Sequence, residues 1–104
     1  MKNIHANEIS KLTYNGKIII FCYGIGCMNC KIMQPIVDKL EPLFPDISFY
    51  CINVDLHPHI LQRYKITFLP TIIPFHNGQD LPAIIGVKSF DILKKLIEQS
   101  LNYA

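Results

Sequence analysis

The chain has 104 residues, 50% of them apolar and 17% charged, which suits one globular domain and excludes a disordered, collagen-like or coiled-coil chain. Ten Lys and Arg against eight Asp and Glu leave a formal net charge of +2 at pH 7, and no basic run exceeds Lys94-Lys95, so nucleic acid is not an expected partner. The longest apolar run, Ile18 to Cys22 with Tyr23, falls far short of the roughly 20 residues a membrane-spanning helix needs, so no membrane association is expected either.

In chain order, Ile4 is placed in a short edge strand, and Asn7 to Leu12 in a short helix that Asn7 caps. Asn15-Gly16 is a turn signal. Lys17 to Tyr23, rich in Ile and aromatics, reads as a strand buried on both faces. Gly24-Ile25-Gly26 breaks it. From Met28 to Leu43, Ile32, Met33, Ile36, Val37, Leu40 and Leu43 recur at three- and four-residue spacing, which predicts a helix with Pro35 inside it and a kink there. Ile47 to Val54 is a second apolar strand. His57-Pro58 opens a short helix through Arg63, with Pro58 in its first turn.

Thr71 to Phe75 is a third strand, although Pro74 lacks the donor a ladder needs and predicts a bulge or a missing bond. His76-Asn77-Gly78-Gln79 is a hairpin turn, with Leu81 to Ile85 as the returning strand. Ser89 caps a last helix whose stripe is Phe90, Leu93, Leu96, Ile97 and Leu101. The long strand–helix–strand unit implies a right-handed crossover and a parallel central pair, and the hairpin adds antiparallel strands. The expected fold is therefore α/β, a mixed sheet of four to five strands with helices on both faces, in one domain spanning residues 1–104.

Cys27-Met28-Asn29-Cys30 has CxxC spacing. The spacing alone is weak, but its placement carries chemistry: it follows a buried strand and a Gly-rich break and opens a helix. The nucleophile of disulfide exchange is the thiolate, and a free thiol has a pKa of about 8.5. A helix N-terminus presents unpaired N–H groups and the positive end of the dipole, which favour an anion at Cys27. Cys30 falls within the first turn, close enough to attack a mixed disulfide formed at Cys27, and Lys31 adds a positive charge. Cys27 is the candidate attacking thiol and Cys30 the resolving one.

A structural zinc site would want four ligands, and Cys22 and Cys51 sit in strands, so no metal is expected. Cys22 and Cys51 read as core, on opposite faces. His5, His57, His59 and His76 fall near element ends and read as solvated, and a His57–His59 metal contact lacks a third ligand. The mixed, polar first residues do not resemble a secretory signal, which leads to the expectation of a cytoplasmic protein.

Over nearly its full length the chain resembles the thioredoxin family. The resemblance rests on the strand Lys17–Tyr23, the pair Cys27–Cys30 followed by Lys31, and Pro35. It continues with Asn53-Val54-Asp55, Tyr64 before Ile66, Leu69-Pro70-Thr71, the turn Phe75-His76-Asn77-Gly78, and Gly86. It implies a thioredoxin fold and a thiol–disulfide oxidoreductase that reduces protein disulfides. It also implies a cis Pro70 facing the thiols, whose neighbouring backbone pairs with substrate like an added strand. Gly26, Met28, Leu69, Pro70 and Gly86 are then the expected substrate-binding residues. Ile25, Met28, Phe68, Leu69 and Val87 are expected to form an apolar rim around Cys27. No flavin or nicotinamide motif is present, so no cofactor is expected and the reductant is external, such as a thioredoxin reductase.

The chain departs from the family in four places. Gly26 replaces the aromatic before the first Cys, Met28-Asn29 replaces Gly-Pro between the cysteines, and Phe21 replaces a buried Asp, with Cys51 in place of the accompanying Lys. The altered dipeptide leaves the reduction potential open. The departures also keep open a second reading, a thioredoxin-fold binding or adaptor module with a slow or regulatory cysteine pair.

Overall fold

The computed structural model describes residues 1–102, the side chain of residue 102 excepted; residues 103 and 104 of the expected domain lie outside it. Its elements are β1 (Lys2–Asn3), α1 (Ile9–Thr13), β2 (Lys17–Tyr23), α2 (Met28–Leu40), β3 (Ile47–Asn53), α3 (His59–Arg63), β4 (Thr71–His76), β5 (Gln79–Asp80), β6 (Ile84–Ile85) and α4 (Phe90–Ile97). The spatial order is β1-β3-β2-β4-β5, with β6 also paired to β4. β2 lies parallel to β3 and antiparallel to β4, and the β2–α2–β3 unit is the crossover expected of a parallel pair.

The interior of β2 is buried on both faces because helices cover both sides of the sheet. Ile19 and Phe21 face a core built with Cys30, Met33 and Val37 of α2 and Leu93 and Ile97 of α4. Ile18, Ile20 and Cys22 face the opposite core, with Ile9 of α1 and Ile60 of α3. The period-two alternation of a strand therefore divides one continuous apolar run between two cores. Cys22 and Cys51 lie in different cores, on opposite faces as expected.

Several local expectations need correction. The N-terminal turn starts earlier: Ala6–Glu8 is a 3-10 turn capped at His5, whose N–H donates to Glu8 Oε1 at 2.8 Å, so Asn7 lies inside the turn. α2 ends at Leu40 and a 3-10 turn, Glu41–Leu43, continues it, with Ile32 and Leu43 exposed. Pro58 is the N-cap of α3, one position before its first turn.

Of the expected strand Leu81–Ile85 only Ile84–Ile85 pairs, as β6, while a separate short strand, β5, begins within the expected turn at Gln79, which makes the sheet six-stranded among the described residues. Pro74 explains the split. The β2–β4 register runs through it with no bulge. Leu81 N–H donates to Pro74 O at 2.8 Å, so Pro74 turns its missing donor to the outer edge, where the ladder lapses between Asp80 and Ile84. In α4, Ser89 Oγ accepts from Ile92 N–H at 3.3 Å, the expected cap. Leu93, Ile97 and Leu101 are buried, with Phe90 and Leu96 packed beside them, and a π-helical turn, Glu98–Asn102, follows.

Candidate active site

β2 delivers the chain to the carboxyl end of the sheet, and the loop Gly24–Gly26 turns it into α2. Gly26 has φ +75°, a conformation that glycine adopts without a Cβ penalty. Cys27 is the N-cap of α2, with extended backbone, and its Sγ accepts from Cys30 N–H at 3.2 Å. Cys27 and Cys30 are joined as a disulfide, with their Cα atoms 5.3 Å apart. Cys27 is half-buried, whereas Cys30 is buried between α2 and β2. One sulfur thus sits at the positive end of a helix, in reach of an amide donor, and its partner lies behind it. The side chain of Lys31 is exposed, and its N–H donates to Cys27 O at 3.3 Å.

The other two cysteines are poor nucleophiles. Both are free and buried. Burial pushes the Cys22 thiol up to about 12. Burial also raises that of Cys51, reinforced by Asp38 and Glu41 and partly opposed by the Met1 amine.

The Leu69–Pro70 peptide bond is cis. Gly86 N–H donates to Pro70 O at 2.9 Å, which brings residues 86–88 alongside this turn. Lys88 N–H meets Met33 Sδ at 3.4 Å and ties the same segment to α2. Thr71 Oγ1 donates to Phe68 O at 2.6 Å and closes the turn from within. Leu69 reaches the active-site loop: a Cβ added to Gly24 would lie 3.0 Å from Leu69 Cδ1. The structure therefore links Leu69, Pro70 and Gly86 to one another and to the loop that carries Gly26 and Cys27. Of the expected rim, Ile25, Met28, Phe68 and Val87 are exposed at 76, 68, 67 and 41%, and Leu69 is half-buried.

Asp55 is not among the site residues expected from the sequence. Its Oδ2 accepts from Ile25 N–H at 2.6 Å, two residues before Cys27. Its own N–H donates to Asn53 Oδ1 at 2.9 Å, and Val54 N–H donates to Tyr23 O at 2.9 Å. The end of β3 thus clamps the loop leading out of β2. The local signal was the Asn53-Val54-Asp55 run, which marks a strand end but does not say what the carboxylate holds.

A buried strand, a tight loop and a cysteine pair at the mouth of a helix, with a cis-proline turn alongside, define a protein built for dithiol–disulfide exchange. The thioredoxin family model matches residues 2–99. Thioredoxin AMT13 of Alternaria alternata is 36% identical over 83 residues, covering 79% of this chain and 69% of its own length. The thioredoxin of Chlamydia caviae is 27% identical over 99 residues, 95% of this chain and 97% of its own. The crystal structure of oxidised mitochondrial thioredoxin 3 from Saccharomyces cerevisiae superposes with a TM-score of 0.87 at 32% identity, across 95% of this chain and 94% of that one. The chain belongs to the thioredoxin family. It is a thiol–disulfide oxidoreductase acting on protein disulfides. Among the described residues, no helix is long and apolar enough to cross a membrane.

Proposed function

We propose that residues 1–104 act as one thioredoxin domain that reduces protein disulfides, with Cys27 attacking and Cys30 resolving. The observation that carries this is the placement of Cys27 as the α2 N-cap with Cys30 N–H on its sulfur, above a buried Cys30. In the reduced protein, the Cys27 thiolate attacks one sulfur of the substrate disulfide and the other leaves as a thiolate. Cys30, having lost its proton, then attacks Cys27 Sγ. The Cys27–Cys30 disulfide forms and the second substrate sulfur leaves, so that two electrons pass to the substrate.

Extended substrate lies against the backbone of Leu69 and Pro70, with Gly26 and Gly86 leaving room for it and Met28 offering a flexible apolar contact. An external reductase, such as a thioredoxin reductase, restores the dithiol. The protein works in the cytoplasm, where it carries electrons to other proteins and maintains their thiols. Its two free, buried thiols suit a reducing compartment.

The test is a redox titration in glutathione or dithiothreitol buffers, read by thiol trapping and mass, alongside Cys27→Ser and Cys30→Ser. A reversible two-electron transition at a strongly reducing potential is expected, with Cys30→Ser accumulating a mixed disulfide and Cys27→Ser none. A much more oxidising transition would reassign the enzyme to oxidation or isomerisation. If no Cys27–Cys30 disulfide forms in any buffer, the adaptor reading replaces this one.

A further inference from the structure

The chain has three methionines, and the fold places one of them unlike the others. Met33 is fully buried in the core that β2 shares with α2 and α4, and its Sδ accepts from Lys88 N–H at 3.4 Å. The Met1 side chain packs against the same core and is 1% exposed. Met28 is open to solvent. It is the first residue of α2, between Cys27 and Cys30, and Ile32, also exposed, stands one turn further along the same face. The one exposed methionine of the chain therefore lies inside its redox motif.

We propose that Met28 is an oxidation site through which a hydroperoxide controls the binding of protein substrates, a role that rests on the reading of Met28 as a substrate contact. The Met28 sulfur attacks one oxygen of the peroxide. An S–O bond forms and the O–O bond breaks; with hydrogen peroxide, the proton of the transferred oxygen passes to the departing hydroxide, which leaves as water. The sulfur is oxidised by two electrons and the peroxide is reduced by two. Reversal returns two electrons and releases the oxygen as water, the reaction of methionine sulfoxide reductases.

The product is a polar, chiral sulfoxide where a flexible apolar side chain stood. Apolar surface covered by a substrate adds to affinity in proportion to its area, and a sulfoxide oxygen covered without a donor opposes it. The groups acting on Cys27 Sγ, the Cys30 N–H and the helix terminus, are backbone groups that this change leaves in place. The effect thus falls on extended substrates and not on a small disulfide that needs no rim. Exposure also sets which methionine reacts, because Met33 and Met1 meet an oxidant only when the fold opens.

The experiment treats the oxidised protein, whose Cys27–Cys30 disulfide shields those sulfurs, with hydrogen peroxide and locates sulfoxide by peptide mapping and mass. Met28 should convert at least about tenfold faster than Met33 or Met1. Turnover with dithiothreitol as reductant then compares a peptide disulfide flanked by apolar residues with hydroxyethyl disulfide. Sulfoxide should raise KM for the peptide by about tenfold and leave kcat, and the rate with hydroxyethyl disulfide, within about twofold. Methionine sulfoxide reductases should restore the KM. Met28→Leu should show one KM before and after peroxide, and Met28→Gln should share the raised value. Conversion of Met33 or Met1 as fast as Met28 overturns the inference. So does a peptide KM unchanged after full conversion of Met28, or a rise that Met28→Leu shares. If the untreated protein fails to reduce the peptide at all, the reading of the site falls and this inference falls with it.

Discussion

Replacing Asp55 by Ala tests whether the end of β3 sets the position of Cys27, the proposed attacking cysteine. The substitution removes the acceptor for Ile25 N–H, a 2.6 Å bond to a carboxylate. Hydrogen bonds to charged groups contribute about 1.5–3 kcal/mol net. Ile25 is 76% exposed, so water can replace the acceptor, and the expected global loss is about 1 kcal/mol, below that range. The local effect should be larger than the global one. With the clamp released, the Val54–Tyr23 bond and Leu69 beside Gly24 are left to restrain the loop from this side.

Urea unfolding measures the global term, and hydrogen exchange at the Ile25 amide measures the local one. Exchange with a peptide disulfide under pseudo-first-order conditions measures the consequence. Protection at Ile25 should fall by about tenfold, the equivalent of about 1.4 kcal/mol, and the attack rate should fall with it. Asp55→Asn, which keeps an acceptor but not the charge, should fall between wild type and Ala. If Ile25 protection and the exchange rate are both unchanged in Asp55→Ala, the clamp does not exist as described.

Two further outcomes follow from the buried groups. The Cys22 thiol, pushed by burial from an ordinary 9.0 up to about 12, stabilises the fold fully below pH 9 and loses that contribution as pH rises toward 12, because the unfolded chain ionises first. Between pH 8 and 10.5 wild type should therefore lose about 2 kcal/mol more in urea unfolding than Cys22→Ala, and equal slopes would refute the assignment. Phe21→Asp, which places a carboxyl beneath Cys30, should cost at least the about 3–5 kcal/mol of a buried Phe→Ala change yet speed resolution of the mixed disulfide near neutral pH. A stopped-flow resolution rate unchanged in the folded variant would sink that expectation.

What could be read from sequence was what repeats within one element. The run Lys17–Tyr23, the three- and four-residue spacing in α2 and the Ser89-capped stripe of α4 each carry a period, and each forms an element there, with α2 ending one turn short of the expected Leu43. The β5–β6 split was not readable, because strands of two residues have no period and Pro74 acts on a neighbour rather than on its own strand. The cap at His5 depends on where Glu8 points, which Asn7, a stronger capping residue, obscured in the sequence. The Asp55–Ile25 bond and the edge-to-face contact of the His5 and His57 rings join residues 30 and 52 positions apart. Both follow only once β3 is set between β1 and β2, so no local pattern could announce them.

The departures at Phe21 and Cys51 acquire a common meaning from the register. They are paired across β2 and β3, and both face the core that contains Cys30. Where the family carries an acid and a base, this chain therefore places two apolar contacts side by side in the core that holds Cys30. Exchanging an ion pair for apolar packing need not weaken the fold, since burying charge is costly. It does change how Cys30 can be deprotonated. Among the described residues no carboxylate belongs to the core around it, and burial favours a neutral thiol. Attack on a substrate draws on what remains intact, the helix terminus and the Cys30 amide at Cys27 Sγ. Resolution must send its proton outward, toward the leaving thiolate of the substrate or toward water at the rim. The substitutions thus bear unequally on the two proposed steps: the helix terminus and the amide at Cys27 Sγ are present, while an acid and a base beneath Cys30 are not.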